Sequence, residues 1–213
     1  MINKRSDKEA VIEAVRGDGL KLYHASKALQ NDKDVVMAAV DNAGFAIYYA
    51  SDDLKNDKEV VLAAVNSDGH ALRYVSLFLR GDKDVVLAAV RRLGTALFYA
   101  SDELKKDRDV VLAAVCKCDY ALGQAAEIMR DDEDIVLAAV AANGTSLRYA
   151  SRRIKDMEEV VLVAVCEDQS SIKYASKRIQ DIIENMKCKG DTAEKFMLWR
   201  DISKAKSARN TGS

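Results

Sequence analysis

Short apolar runs return at a fixed interval along this chain. Val60-Val61-Leu62-Ala63-Ala64-Val65, Val85-Val86-Leu87-Ala88-Ala89-Val90 and Val110-Val111-Leu112-Ala113-Ala114-Val115 are identical, and close variants occupy 35–40, 135–140 and 160–165. A run that is apolar on nearly every side predicts a helix buried between neighbours on several sides. In front of most runs stands an acidic residue such as Asp82, a good N-cap, and Asp84 adds negative charge to the first turn, where the helix dipole favours it. Behind, Gly94 and its equivalents predict the stop, because a left-handed C′ residue favours glycine. Next, Leu97, Ala100, Ser101 and Leu104 fall at i, i+3, i+4 and i+7, one apolar stripe with a polar back. That spacing predicts a second helix from near Thr95, with Lys105 and Lys106 at its C-terminal end.

The unit repeats without insertion. Asp7, Asp32, Asp57, Asp82, Asp107 and Asp132 are 25 apart, and Met157 takes the seventh slot. Twelve places later come Gly19, Gly44, Gly69, Gly94, Asp119, Gly144 and Gln169. A tyrosine row (Tyr49, Tyr74, Tyr99, Tyr149, Tyr174) has His24 and Gln124 in its other slots; a serine row (Ser26, Ser51, Ser76, Ser101, Ser151, Ser176) has Ala126 in the fifth. The leucine-rich strand signature is absent and the chain has no proline, which suits nearly continuous helix. Helix pairs this short cannot bury their own apolar faces, so they must stack. The sequence predicts an all-α fold, an α-solenoid of seven 25-residue helix-turn-helix repeats over residues 1–181, starting near 7, 32, 57, 82, 107, 132 and 157. Such an array is one elongated domain roughly 60–70 Å long at 8–10 Å per repeat. Residues 182–205 break the period. There Asp191 and Glu194 open a helix with Phe196, Trp199 and Ile202 at i, i+3 and i+6, predicting a C-terminal capping helix with Trp199 over the last repeat. The competing reading is an amphipathic helix that docks on a partner or a second copy. Residues 206–213 read as a disordered tail.

Charge narrows the class without naming a partner. Lysine and arginine number 33 against 34 acidic residues, so net charge makes no case for nucleic acid or a membrane surface. No apolar run approaches the roughly 18 residues of a spanning helix. The polar start Met1-Ile2-Asn3-Lys4-Arg5-Ser6-Asp7 has no signal-peptide core, so a cytoplasmic setting is expected. Among the four cysteines, Cys116 and Cys118 lack the second pair of a zinc site. Cys116 and Cys166 hold one slot two repeats apart, about 20 Å at helix spacings and too far to bridge. All four, Cys188 included, are expected to be reduced, and no metal or cofactor is expected.

The strings at 57–79 and 82–104 have the form D-x-[DE]-V-V-L-A-A-V-x-x-x-G-x-x-L-x-Y-A-S-x-x-L, with Val75 in the alanine place of the first. This resembles the repeat family designated domain of unknown function 4116, and the resemblance spans residues 7 to about 181. It implies a tandem helical array of the kind carried by bacteria and protists, including effector-like proteins of intracellular bacteria. A secreted effector acting inside a host cell is therefore the variant of the cytoplasmic expectation. The family pattern carries over no catalytic residue. Repeats one, five and seven depart from it, through His24, through Asp119, Gln124 and Ala126, and through Met157 and Gln169.

Repeated positions are expected to serve the fold. The tyrosine row reads as inter-repeat packing with bonded hydroxyls, ahead of a stacking platform for bases or a peptide groove. No invariant His or Lys accompanies the serine row, and His24 and His70 occupy different slots, so no catalytic residue and no enzyme activity are expected. Function is sought where repeats differ. Arg148, Arg152, Arg153, Lys173, Lys177 and Arg178 fill slots that hold Tyr48, Asp52, Asp53, Phe98, Asp102 and Glu103 in repeats two and four. They are candidates for an acidic protein, anionic lipid headgroups or phosphate, against a solvated face partly neutralised by Glu167 and Asp168. Leu77 and Phe78 replace acidic pairs, and Leu93 stands where other repeats have Asp18, Asp68 or Asp168; these are candidates for protein binding, with Leu93 set apart from the other two. Gly123, inside a helix at a cost of about 1 kcal/mol, marks a bend, a hinge or drift. The expected function is a non-catalytic repeat scaffold for protein-protein interaction. The alternative is binding of nucleic acid or anionic lipid through the basic C-terminal end.

Overall fold

The computed structural model describes residues 4–188, with side chains from 7 to 185. The capping helix expected around Phe196, Trp199 and Ile202 and the tail at 206–213 lie outside the described residues, which are all-helical and contain no strand. They form two units, Met1–Lys105 and Lys106–Ser213. The N-terminal unit holds α1 (Lys4–Gly17), α2 (Lys33–Asn42), α3 (Lys58–Ser67) and α4 (Lys83–Arg92). The C-terminal unit holds α5 (Arg108–Val115), α6 (Glu133–Ala142), α7 (Glu158–Glu167) and α8 (Lys177–Cys188).

The acidic caps act as the sequence predicts. The Asp57 carboxylate accepts from the N–H groups of Glu59 and Val60 at 3.0 and 3.2 Å, and Asp82 does the same for Asp84 and Val85 at 3.0 and 3.1 Å. Met157 caps nothing. Behind the caps, Val60, Val61, Ala64 and Val65 are fully buried, each such valine contributing roughly 1.5–3 kcal/mol. Enclosure is less complete than the apolar runs suggest. α3 packs between α2 and α4 and against the 3-10 helices Gly44–Tyr49 and Gly69–Tyr74, which leaves Leu62 and Ala63 half-buried on the remaining face.

The glycine row does something other than the expected left-handed stop. None of Gly19, Gly44, Gly69 and Gly144 has a positive φ. Each opens a 3-10 helix and lies against the next repeat: a Cβ on Gly69 would stand 2.7 Å from Ala89 O and 2.8 Å from the Leu93 Cβ. The helix before it ends instead on an extended residue, such as Asp68 at φ −143°.

The expected second helix is also broken. Gly94–Tyr99 is a 3-10 helix, Ala100 is extended (φ −65°, ψ 157°), and a new turn starts after Ser101. The reason lies in competing partners. The Ala100 N–H already takes Leu97 O at 3.1 Å, and the Ser101 N–H leaves for Arg80 O of the preceding repeat at 3.0 Å. Ser101 Oγ then accepts from the Leu104 N–H. The same step recurs as Ser51 N–H to Gln30 O and Ser76 N–H to Lys55 O, and in the C-terminal unit as Ser151 N–H to Arg130 O and Ser176 N–H to Lys155 O.

In repeat five, α5 stops at Val115 and an α-turn, Ala121–Gln124, replaces the 3-10 helix. Asp119 carries a Cβ in the glycine slot, so the chain cannot press on the next repeat as Gly144 does. A Cβ on Gly123 would stand 2.7 Å from Tyr149 Cδ1. Of the bend, hinge or drift readings none is needed, because the bare Gly123 backbone seats the Tyr149 ring.

Candidate interaction surface

Most polar side chains in repeated slots are spent on neighbouring repeats. Lys33 Nζ bridges Asp57 and Glu59 at 2.8 and 2.7 Å, Lys58 bridges Asp82 and Asp84 at 2.8 Å each, and Arg108 bridges Asp132 and Asp134 at 2.6 and 2.7 Å. The Lys33 bond, outweighing partial burial, holds the Asp57 carboxyl below its ordinary range, and Asp57 in turn raises Lys33. A second basic row turns inward to bond carbonyls at 3-10 helix ends. Arg80 Nε donates to Val75 O at 3.0 Å and Lys155 Nζ to Arg148 O at 2.6 Å. Burial, helped by the Arg130 charge, pushes the Lys155 ammonium down.

The tyrosine row is half-buried and held by rings more than by hydroxyl-carbonyl bonds. In the N-terminal unit, Tyr23, Phe45, Tyr48, Tyr49 and Tyr74 form a surface network with centroids 5.0–6.1 Å apart, the spacing of favourable aromatic pairs. In the C-terminal unit the Arg148 guanidinium lies 4.7 and 4.4 Å from the ring centroids of Tyr120 and Tyr149. The hydrogen bonds that Arg148 donates to Tyr149 and then Tyr120 raise its pKa further.

The six basic candidates are not one free patch. Arg153 pairs with Asp131 and Arg178 with Asp156, each at 3.0 Å, and Lys177 pairs with Asp181 at 2.9 Å. Ser151 and Arg153 depress the Asp131 carboxyl; Arg178 and Ser176 do the same to Asp156. Arg148 is the residue between the tyrosines, and Lys173 lies 5.0 Å above the Tyr174 ring. Arg152 is exposed and makes no ion pair among the described residues.

Leu77 and Phe78 are 82% and 77% exposed. They are the two residues after Ser76, and the equivalent pairs on either side, Asp52-Asp53 and Asp102-Glu103, are exposed as well. The N-terminal unit thus carries an apolar ledge between two acidic ones. Leu93 is elsewhere, half-buried with its Cβ against Gly69. Tyr23, Tyr48, Phe98 and Ile128, none of them a candidate from the sequence, are exposed as well. The doublets Tyr48-Tyr49 and Phe98-Tyr99 are the signal, since adjacent residues on a short helix cannot both face inward.

Cys116, Cys118 and Cys166 form no disulfide among the described residues. Among the described residues no cluster of three or more His, Cys, Asp or Glu is arranged to hold a metal, and no helix is long and apolar enough to cross a membrane. A shallow depression is lined by Asn66, Asp84, Leu87, Ala88, Arg91 and Arg92. An all-helical protein whose recurring residues build the frame and whose varied residues face outward defines a class, the tandem helical repeat protein. The chain belongs to one family of that class, Domain of unknown function (DUF4116), whose model matches residues 7–55, 33–80, 82–130, 107–156 and 132–180. No curated protein and no solved structure matches it.

Proposed function

We propose that the chain is an α-solenoid of seven 25-residue repeats that serves as a non-catalytic scaffold for protein-protein interaction in the cytoplasm. One observation carries the reading: Leu77 and Phe78 stand almost fully exposed on a frame whose other large aliphatics are mostly buried. Paired exposed apolar side chains of this kind mark contact sites. The alternative, nucleic acid or anionic lipid at the basic end, draws on candidates of which Arg153, Lys177 and Arg178 are already ion-paired among the described residues, so it stands second. Affinity capture with tagged chain, beside Leu77→Glu/Phe78→Glu of unchanged circular dichroism, tests the reading. Proteins retained by the wild type and lost from the variant support it. Identical capture by both, or capture lost from Arg152→Glu alone, overturns it.

A further inference from the structure

We propose that a second copy of this chain is a partner of the Leu77-Phe78 ledge, recognised by opposite charge in equivalent slots. The inference rests on the scaffold reading and gives that scaffold a partner. The two positions after each serine are presented alike in both units, exposed on the first turn of a short segment. In the N-terminal unit they carry Lys27-Ala28 in repeat one and then Asp52-Asp53, Leu77-Phe78 and Asp102-Glu103. Lys55 and Lys105 reach Asp52 and Asp102 at 3.6 and 3.7 Å, the outer edge of an ion pair, and leave those carboxylates 101% and 91% exposed. In the C-terminal unit the same positions carry Arg152-Arg153 and Lys177-Arg178, all exposed. Arg153 and Arg178 keep 56% and 58% of their side-chain surface while paired to Asp131 and Asp156.

Local structure accounts for part of these cations: Arg153, Arg178 and Lys177 pair with Asp131, Asp156 and Asp181, while Arg152 makes no ion pair among the described residues. All four open the helices Arg152–Lys155 and Lys177–Cys188, at the end where the dipole favours acid and disfavours base. The acidic pairs of the N-terminal unit sit in the favoured place, and the basic pairs sit against it. The carboxylates within the unit cover one side of Arg153 and Arg178, and a counter-surface for Arg152 and for the exposed sides of the others is written into the same chain. The basic pairs occupy consecutive repeats, as do an acidic pair and the apolar pair beside it, so the two stretches can face each other. Carboxylates then meet guanidinium groups, and the Phe78 ring takes a guanidinium over its face. A handful of side chains per surface places the contact at the low end of specific interfaces, under about 1,200 Å² in total. Association is accordingly weak, and it is screened as the Debye length falls from about 30 Å at 0.01 M salt to about 3 Å at 1 M.

Sedimentation velocity of the full chain over a concentration series, at low and at high salt, tests this. The wild type is expected to self-associate at low salt and to be monomeric at 1 M. Two charge-reversed proteins sharpen the test: Asp52→Lys/Asp53→Lys/Asp102→Lys/Glu103→Lys, and Arg152→Glu/Arg153→Glu/Lys177→Glu/Arg178→Glu. Each is expected to be monomeric alone, and an equal mixture to associate, since the charged ledges at 52–53, 102–103, 152–153 and 177–178 are then all basic in one protein and all acidic in the other. Leu77→Ser/Phe78→Ser is expected to weaken wild-type association about tenfold or more. A wild type monomeric throughout, association surviving in either reversed protein, or a mixture that stays monomeric overturns the inference. Should the reversed proteins misfold, the serine variant decides, with unchanged association overturning it. A monomeric wild type that still captures a foreign protein through Leu77 and Phe78 removes this inference and leaves the scaffold reading intact; self-association without foreign capture does the reverse.

Discussion

Replacing Gly69 by alanine is expected to destabilise the N-terminal unit by roughly 1–3 kcal/mol, the usual cost of overpacking. The new methyl carbon would lie 2.7 Å from Ala89 O and 2.8 Å from the Leu93 Cβ. Carbon atoms sit at about 3.5–4.0 Å in ordinary contact, so several tenths of an ångström must be found. Ala89 O cannot easily yield them, because it accepts the Leu93 N–H at 2.8 Å where α4 ends. Reasoning from chain flexibility gives the opposite sign. Alanine in place of glycine stabilises by about 0.4–1 kcal/mol wherever φ allows it, and Gly69 has no positive φ. Gly81 is the control, since a Cβ there meets nothing closer than Ser101 Oγ at 3.8 Å. Gly81→Ala is expected to be neutral or stabilising by up to about 1 kcal/mol. Urea titration by circular dichroism, comparing midpoints at constant slope, separates the two. A Gly69→Ala midpoint at or above that of Gly81→Ala would refute close packing as the reason for the glycine row.

Leu79→Ala, at a side chain 2% exposed, is expected to cost about 2–5 kcal/mol, while Phe78→Ser next to it stays within about 0.5 kcal/mol; equal urea midpoints would contradict the division of the ledge from the core. Ser151→Ala is expected to remove about 1 kcal/mol of capping and to raise the Asp131 pKa, since the Ser151 hydroxyl is the largest cause of its depression; an unmoved Asp131 carboxyl titration by NMR would contradict this. Stability against pH should be a plateau with two edges. The depressed Asp57 contributes fully above the unfolded value near 3.9 and loses its contribution as pH falls through its lower folded value. The raised Lys33 and Lys58 contribute fully below about 10.4 and lose theirs as pH rises through their higher folded values. Lys33→Met/Lys58→Met is expected to flatten the alkaline edge and spare the stability lost at acid pH through the remaining carboxylates; an alkaline edge unchanged in the urea midpoint would sink the ladder of lysine bridges.

What was legible in the sequence is what depends on near neighbours in the chain. The Asp57 cap needs Glu59 and Val60, two and three places on, and the apolar run supplies its own period. What was not legible depends on partners some twenty residues away. Ser101 belongs to an apolar stripe at helical spacing, and nothing local says that its N–H will cross to Arg80 O and split the helix. Glycine in a recurrent slot has two causes, a left-handed turn or a neighbour that leaves no room for a Cβ, and composition does not choose between them. The basic candidates show the same limit. Their sign is plain from the sequence, but the carboxylates that occupy Arg153 and Arg178 lie 22 residues earlier, at Asp131 and Asp156. Leu77 and Phe78 were legible for the complementary reason. Their neighbours in the array are the same slots of adjacent repeats, so reading Asp52-Asp53 and Asp102-Glu103 beside them already gave their surroundings. In a repeat protein the slot comparison thus stands in for tertiary information, and it fails where two repeats bond to each other through one residue, as serine does here when its N–H donates to a carbonyl and its hydroxyl to a side chain of the preceding repeat, Asn31 for Ser51 and Asn56 for Ser76.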